Sequence, residues 1–241
     1  NTGDMIKGIS RSPKEEEKFP ALIFVGEVNG QTPENAYRRK SFDDLTPIYP
    51  TERLKLETLP TEYDMRMIDL ISPIGKGQRQ LIIGDKKTGK TQILLDTIVN
   101  QKGKNVICIY VAIGKTKKEV KNIYLELEKR GALSYTTMIC AFNDDKPPVI
   151  SLTPYAALSI AEVYMQNNAD VLDVIDDLKR HAEAYREISL VAGKTPGRDA
   201  YPSDIFYTHS RMLERGAQHI DGGSLTILPI VETKAGDITD Y

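Results

Sequence analysis

The sequence predicts an α/β fold: a mainly parallel sheet flanked by helices and preceded by a small partial β segment. Three observations carry this. From residue 81 onward, short apolar runs lack the polar alternation of a half-exposed strand, stretches of helical period separate them, and a glycine-containing loop joins the first run to the first helix. Such runs suit strands buried on both faces, and ligands of such sheets bind at the carboxyl ends of the strands.

Residues 1–62 are rich in charge and proline and hold one strand pattern, ALIFVGEV at 21–28, ended by the Asn29-Gly30 turn signal. Pro47, Pro50 and Pro60 mark a linker leading to Met67 and Ile68. The chain therefore divides into 1–62, with too little apolar patterning for its own core, and 63–241. In the second part LII at 81–83 is a short strand and 91–100 a helix, followed by a strand at 106–112, VICIYVA. Val120, Ile123, Tyr124 and Leu127 share one helix face, and Gly131 stops that helix. Strands follow at 136–141, 171–175 and 225–230, with helices at 155–165, 178–190 and 204–214. Asp173 interrupts the apolar run VLDVIDDL, so either it is paired or that strand is shorter.

A chain of 241 residues can bury a substantial core, and 40% hydrophobic with 27% charged residues exclude collagen-like, disordered and disulfide-scaffold classes. With 32 basic against 34 acidic residues there is no global field for a polyanion, so RNA binding would need a local patch. The lysines 115, 117, 118 and 121 read more readily as a solvated helix face than as an RNA track. Cys108 and Cys140 sit in apolar runs and are expected reduced and buried, while His181, His209 and His219 lack metal-ligand spacing. No apolar run approaches the ~20 residues of a membrane span, and no signal-peptide pattern opens the chain. The expectation is a soluble, cytoplasmic protein without direct membrane contact.

Gly84-Asp85-Lys86-Lys87-Thr88-Gly89-Lys90-Thr91 fits GxxxxGK[ST] between an expected strand and an expected helix. The glycines let successive backbone N–H groups point into one concavity, where the helix N-terminus adds partial positive charge. These eight residues and Gln92 are the expected nucleotide-binding set. Lys90 would reach the β and γ phosphates, and the Thr91 hydroxyl would ligate Mg2+. Such a loop needs an acidic residue at the end of a neighbouring strand to hold that ion through water. Asp176, with Asp177 beside it, has this place; a helix N-cap before Leu178 is its other reading. The expected cofactors are Mg2+ and ATP or ADP.

The stretches ISPIGKGQRQLIIGDKKTGKTQILLDTIVNQ (71–101), YVAIG (110–114), AYREISL (184–190), PGRDAYPSDIFYTHSRMLERG (196–216) and GGSLTILPIVETKAGDITDY (222–241) closely resemble the nucleotide-binding domain of rotary ATP synthase alpha subunits. The front of the chain, through TGDMIKG, EEEKFPALIFVGEVNG, PENAYRR and SFDDLTPIYPTERLKLE, instead resembles the transcription terminator Rho. Both resemblances imply a RecA-like hexameric motor fold, and hence homo- or hetero-oligomers through RecA-like interfaces. So even a mixture is expected of a reconstructed, designed or deeply divergent chain.

Catalytic members of this superfamily carry a glutamate just after the strand that follows the phosphate loop, where it polarises the attacking water. Aligned on AIG, this chain has Lys115 there, and an ammonium cannot accept that proton. No catalytic residue is therefore assigned, with Glu119 left open as a substitute base. Alpha subunits also lack the glutamate and bind nucleotide without turning it over. The resemblance thus implies Mg-ATP or Mg-ADP binding with weak or no hydrolysis, the alternative being a Rho-like RNA-stimulated ATPase or translocase. The family's arginine finger comes from beyond GDxxxY, and this chain ends at Tyr241; Arg198 and Arg211 are candidate interface arginines or ordinary surface charge. On the Rho side, Glu17 and Phe19 match positions that hold a base, and PGRDAYPSD stands where RNA-contacting loops would fall.

Overall fold

A computed structural model describes residues 4–14, 20–38, 42–220 and 222–238; Glu17, Phe19 and Tyr241 lie outside these. The chain forms two compact units, Asn1–Leu45 and Thr46–Tyr241. In the first, β1 (Ile6–Arg11) and β2 (Ala21–Val28) pair antiparallel. The short α1 (Pro33–Tyr37) follows, capped by the Thr32 hydroxyl. β1 was not anticipated, because IKGISR holds only Ile6 and Ile9 as large apolar residues, three apart, and no sustained alternation.

The second unit begins before the expected boundary at 62/63, because the supposed linker is built into it. β3 (Pro47–Ile48) and β4 (Arg53–Leu54) precede α2 (Tyr63–Ile71), and β4 pairs with β5 (Ile74–Gly75). Leu54 and Leu56 are core residues. The buried Asp69 carboxylate of α2 accepts the Leu56 and Glu57 N–H groups at 2.9 and 2.8 Å, so backbone that lacks a ladder partner is satisfied by a side chain.

The main sheet then takes shape. β6 (Ile82–Gly84) leads into α3 (Lys90–Val99), β7 (Val106–Lys115) into α4 (Lys117–Lys129), and β8 (Thr136–Phe142) into α5 (Pro147–Gln166). β9 (Asp170–Asp176), α6 (Leu178–Val191), α7 (Ile205–Leu213), β10 (Gln218–His219) and β11 (Ser224–Glu232) complete it. The parallel strands run in the order β8, β7, β9, β11, β6, with β10 and β3 adding antiparallel pairs at one edge. β11 therefore separates the phosphate-loop strand from the strand that ends in Asp176.

One face of the sheet, with Cys108, Tyr110, Ala112, Leu172, Val174, Leu228 and Ile230, packs against Leu94, Leu95 and Ile98 of α3 and Ile123 and Leu127 of α4. α5 and α6 cover the other. α4 starts at Lys117 because Thr116 and Glu119 form a capping box, and Gly131, the expected stop, follows its C-terminal turn at φ 71°.

Three expectations need correction. The helix at 155–165 begins at Pro147, since Pro147 and Pro148 occupy a first turn that needs no N–H partners; Pro154 is carried inside it. β9 runs its full length through Asp173, which is neither paired nor at a strand end: both carboxyl oxygens are buried without a hydrogen-bond partner. Cys108 is buried and Cys140 only half-buried, both as free thiols.

Candidate functional site

β6 ends at Gly84 and α3 begins at Lys90, so the loop between them opens at the carboxyl end of the sheet. Gly89 has φ 90°, which only glycine adopts without strain, and nothing lies within 4 Å of where a side chain would start. The concavity is thus kept free by the residue type. Asp85 braces the loop from behind: it accepts the Thr233 hydroxyl and, at 2.8 Å, the Gly236 N–H, bonds that hold its carboxyl below the usual range. The Thr88 hydroxyl donates to the Asp85 carbonyl at 2.8 Å. Lys90 folds back across the loop, its Nζ donating to the Gly84 carbonyl at 2.8 Å and to the Asp85 carbonyl. Lys86 pairs with Glu232 at 3.5 Å, Lys87 sits at φ 60°, and Gln92 donates along its own helix to Asp96 at 3.0 Å.

Asp176 is the centre of the site. It is 2% exposed and engaged on both oxygens. Oδ2 accepts the Thr91 hydroxyl at 2.9 Å and the Tyr110 hydroxyl at 2.7 Å; Oδ1 meets the Lys115 ammonium at 2.9 Å. The capping role falls to Asp177, whose side chain accepts the Arg180 N–H at 2.9 Å. Burial pushes the Asp177 carboxyl up to about 6. Tyr110 was not anticipated, although it is the one polar-tipped side chain in VICIYVA. Burial first, and the Asp176 charge second, hold its phenol well above the ordinary value.

Lys115 reaches Asp176 through a local irregularity. On β7, Tyr110 and Ala112 face the α3 side, so strict alternation would send residue 115 to the opposite face. The ladder with β8 shifts between Ile113 and Lys115, with Gly114 at φ 63°, and this bulge re-aims the side chain. Glu119 is committed elsewhere, accepting the Thr116 N–H at 2.8 Å and the Thr116 hydroxyl at 2.6 Å, which lowers its own proton affinity. The lysine group does not act together: Lys117 pairs with Asp144 at 2.9 Å, and Lys118 and Lys121 are exposed.

The Thr91 hydroxyl and the Asp176 carboxylate are hard oxygen donors of the class Mg2+ takes when phosphates and waters supply its other ligands. Their chemistry fits that ion, with Lys115 competing for the same carboxylate. Among the described residues no group of three or more histidine, cysteine or acidic side chains could hold a metal ion. Arg198 contacts Asp199 at 3.5 Å, and Arg211 lies over the Tyr207 ring. No described helix is long and apolar enough to cross a membrane.

Comparison with known proteins gives two matches in sequence order. Residues 1–34 match the Rho termination factor RNA-binding domain, and residues 64–241 match the ATP synthase alpha/beta family nucleotide-binding domain. ATP synthase subunit alpha of Clostridium botulinum (strain Hall) is 54% identical over 185 residues, covering 76% of this chain and 37% of the relative. The subunit alpha of Limosilactobacillus reuteri (strain DSM 20016) is 52% identical over 190 residues, covering 78% of this chain and 37% of its own length. The chain thus spans little more than a third of these relatives. A glycine loop on a parallel sheet, an acidic strand end bonded to its threonine, and a family match reaching from α2 to the last residue converge on one statement: the chain belongs to the ATP synthase alpha/beta family, through its nucleotide-binding domain.

Proposed function

We propose that residues 63–241 bind ATP or ADP at the loop Gly84–Thr91 as a nucleotide-holding domain of the alpha-subunit type, with weak or no hydrolysis. The observation that carries this is the ion pair of Lys115 with Asp176, 2.9 Å apart, where a water-activating carboxylate would be needed. In this reading the backbone N–H groups around Gly89 and the Lys90 ammonium bind the phosphates, and Lys90 exchanges its carbonyl partners for phosphate oxygens. The Thr91 hydroxyl and Asp176 orient Mg2+, which when bound neutralises phosphate charge. Glu119 supports the low turnover by being tied to Thr116, one helical turn from Lys115 and closed in a capping box.

A second reading, an ATPase governed by RNA, rests on the match of residues 1–34 to a Rho RNA-binding domain. One experiment separates the two. ATP binding is titrated and phosphate release followed with and without single-stranded RNA, with Lys90→Ala as the control for contaminating activity. Binding without release supports the alpha-type reading; release that rises with RNA supports the second. Absence of binding overturns both.

A further inference from the structure

We infer that Lys115 is a built-in cation of the nucleotide site: its ammonium neutralises Asp176, so that nucleotide binding does not depend on Mg2+. The inference rests on the nucleotide-binding reading and deepens it. In a phosphate loop, the acidic strand end and the triphosphate carry the same sign. A divalent cation between them removes that repulsion. Here the repulsion is already removed, since an ammonium stands 2.9 Å from Oδ1 of a carboxylate that is itself almost fully buried.

The arrangement is specific. The carboxylate is held by three groups from two elements: Thr91 of α3 and Tyr110 of β7 on one oxygen, and Lys115, at the end of β7, on the other. Strand alternation alone would have turned Lys115 away, and the bulge at Gly114 turns it back. A side chain on Gly114 would approach the Arg180 side chain at 3.1 Å, so residue 114 is also restricted in size. Lys115 is therefore delivered to Asp176 by the backbone, whereas the neighbouring Lys118 and Lys121 remain on the solvated face of α4.

Two consequences follow for a bound triphosphate. Its phosphates meet two ammonium groups, Lys90 at the start of α3 and Lys115 at the end of β7, with the Asp176 charge behind them already paired. Mg2+ gains less at this carboxylate than at a bare one, because one oxygen is already paired.

The test is calorimetric titration of the whole chain with ATP, once in EDTA and once in excess Mg2+. For the protein as it stands, the two dissociation constants should agree within about threefold, and for Lys115→Gln Mg2+ should tighten binding by about tenfold or more. Lys115→Arg, which keeps the charge, should restore indifference to the metal. Circular dichroism checks that each variant is folded, and the unmodified chain provides a test that needs no variant. A tenfold or greater tightening by Mg2+ in the unmodified chain overturns the inference, as does a Lys115→Gln protein equally indifferent to the metal. Loss of ATP binding under both conditions overturns the nucleotide-binding reading itself, and this inference with it.

Discussion

Replacing Asp173 by leucine should stabilise the fold, and the gain should grow with pH. Asp173 lies in the middle of β9, flanked by Ile109 of β7 and Ile227 of β11, fully buried and with both oxygens unpartnered. Burial pushes its carboxyl up to about 8, against about 3.9 in an unfolded chain. Between those values the folded state keeps a proton that the unfolded state releases, so stability falls as pH rises, by about 1.4 kcal/mol per unit. Over the whole window the loss is at most about 5 kcal/mol, because water entry and rearrangement relieve part of a buried charge's penalty. Leucine removes the titration and adds roughly 2 kcal/mol of apolar burial at every pH. Guanidinium unfolding of both proteins at pH 5 and pH 8 should therefore show a gain about 3–4 kcal/mol larger at pH 8. Asp173→Asn, which replaces the titrating carboxyl with a neutral amide, should lose the same pH slope without the constant gain. Equal gains at the two pH values, or destabilisation at pH 8, would refute the reasoning.

Other expectations can be checked in the same preparations. Lys90→Ala should weaken ATP binding by about a hundredfold or more, as the loss of a charge-assisted phosphate contact requires, and calorimetry reads this directly. Thr116→Ala removes the hydroxyl cap of α4 and should cost about 1 kcal/mol in denaturant unfolding, leaving the Glu119 carboxylate only its bond from the residue 116 N–H. His181 and His209, 2.9 Å apart, are held down to about 3 and about 4, chiefly by burial and for His181 also by its neighbour. Their folded values lie below the unfolded ~6.5, so between pH 6.5 and about 4 the unfolded state binds protons that the folded state refuses. Stability should fall on acidification through that window by about 1 kcal/mol per unit for each ring, and the double variant His181→Phe, His209→Leu should flatten that limb.

How far the sequence could be read depended on whether local signals and tertiary packing agreed. The phosphate loop was legible because its spacing is dictated by backbone geometry, and β7 and β11 because a strand buried on both faces reads as a nearly continuous apolar run; β9 kept that pattern apart from Asp173, and β8 is a half-buried edge strand. α4 was legible through the shared face of Ile123 and Leu127. The segment of β3 and β4 was hidden because its prolines read as a linker, while Leu54 and Leu56 are buried in a core they share with Met65, Leu94 and Ile98. The start of α5 was hidden by prolines that a first helical turn tolerates. At the site, Lys115 was legible as a misplaced charge, but its ion pair with Asp176 was not, because alternation along β7 predicts the opposite face and only the shift at Gly114 reverses it. Tyr110 escaped for a related reason: in a strand so apolar its ring counts as core, and its hydroxyl acquires meaning only when β9 brings Asp176 alongside. Asp176 was read as the ion-holding acid, with an N-cap as its other reading; in the fold Asp177 caps α6 and Asp176 meets Thr91.

The most direct test of the central claim follows the fate of a single bound nucleotide. The chain is loaded with γ-labelled ATP, separated from free nucleotide by rapid gel filtration, and quenched in acid over time. A nucleotide-holding domain with Lys115 in place of a water-activating carboxylate should retain the label as intact ATP for many minutes. Conversion of the bound ATP to ADP and phosphate within seconds, absent in Lys90→Ala, would contradict the account.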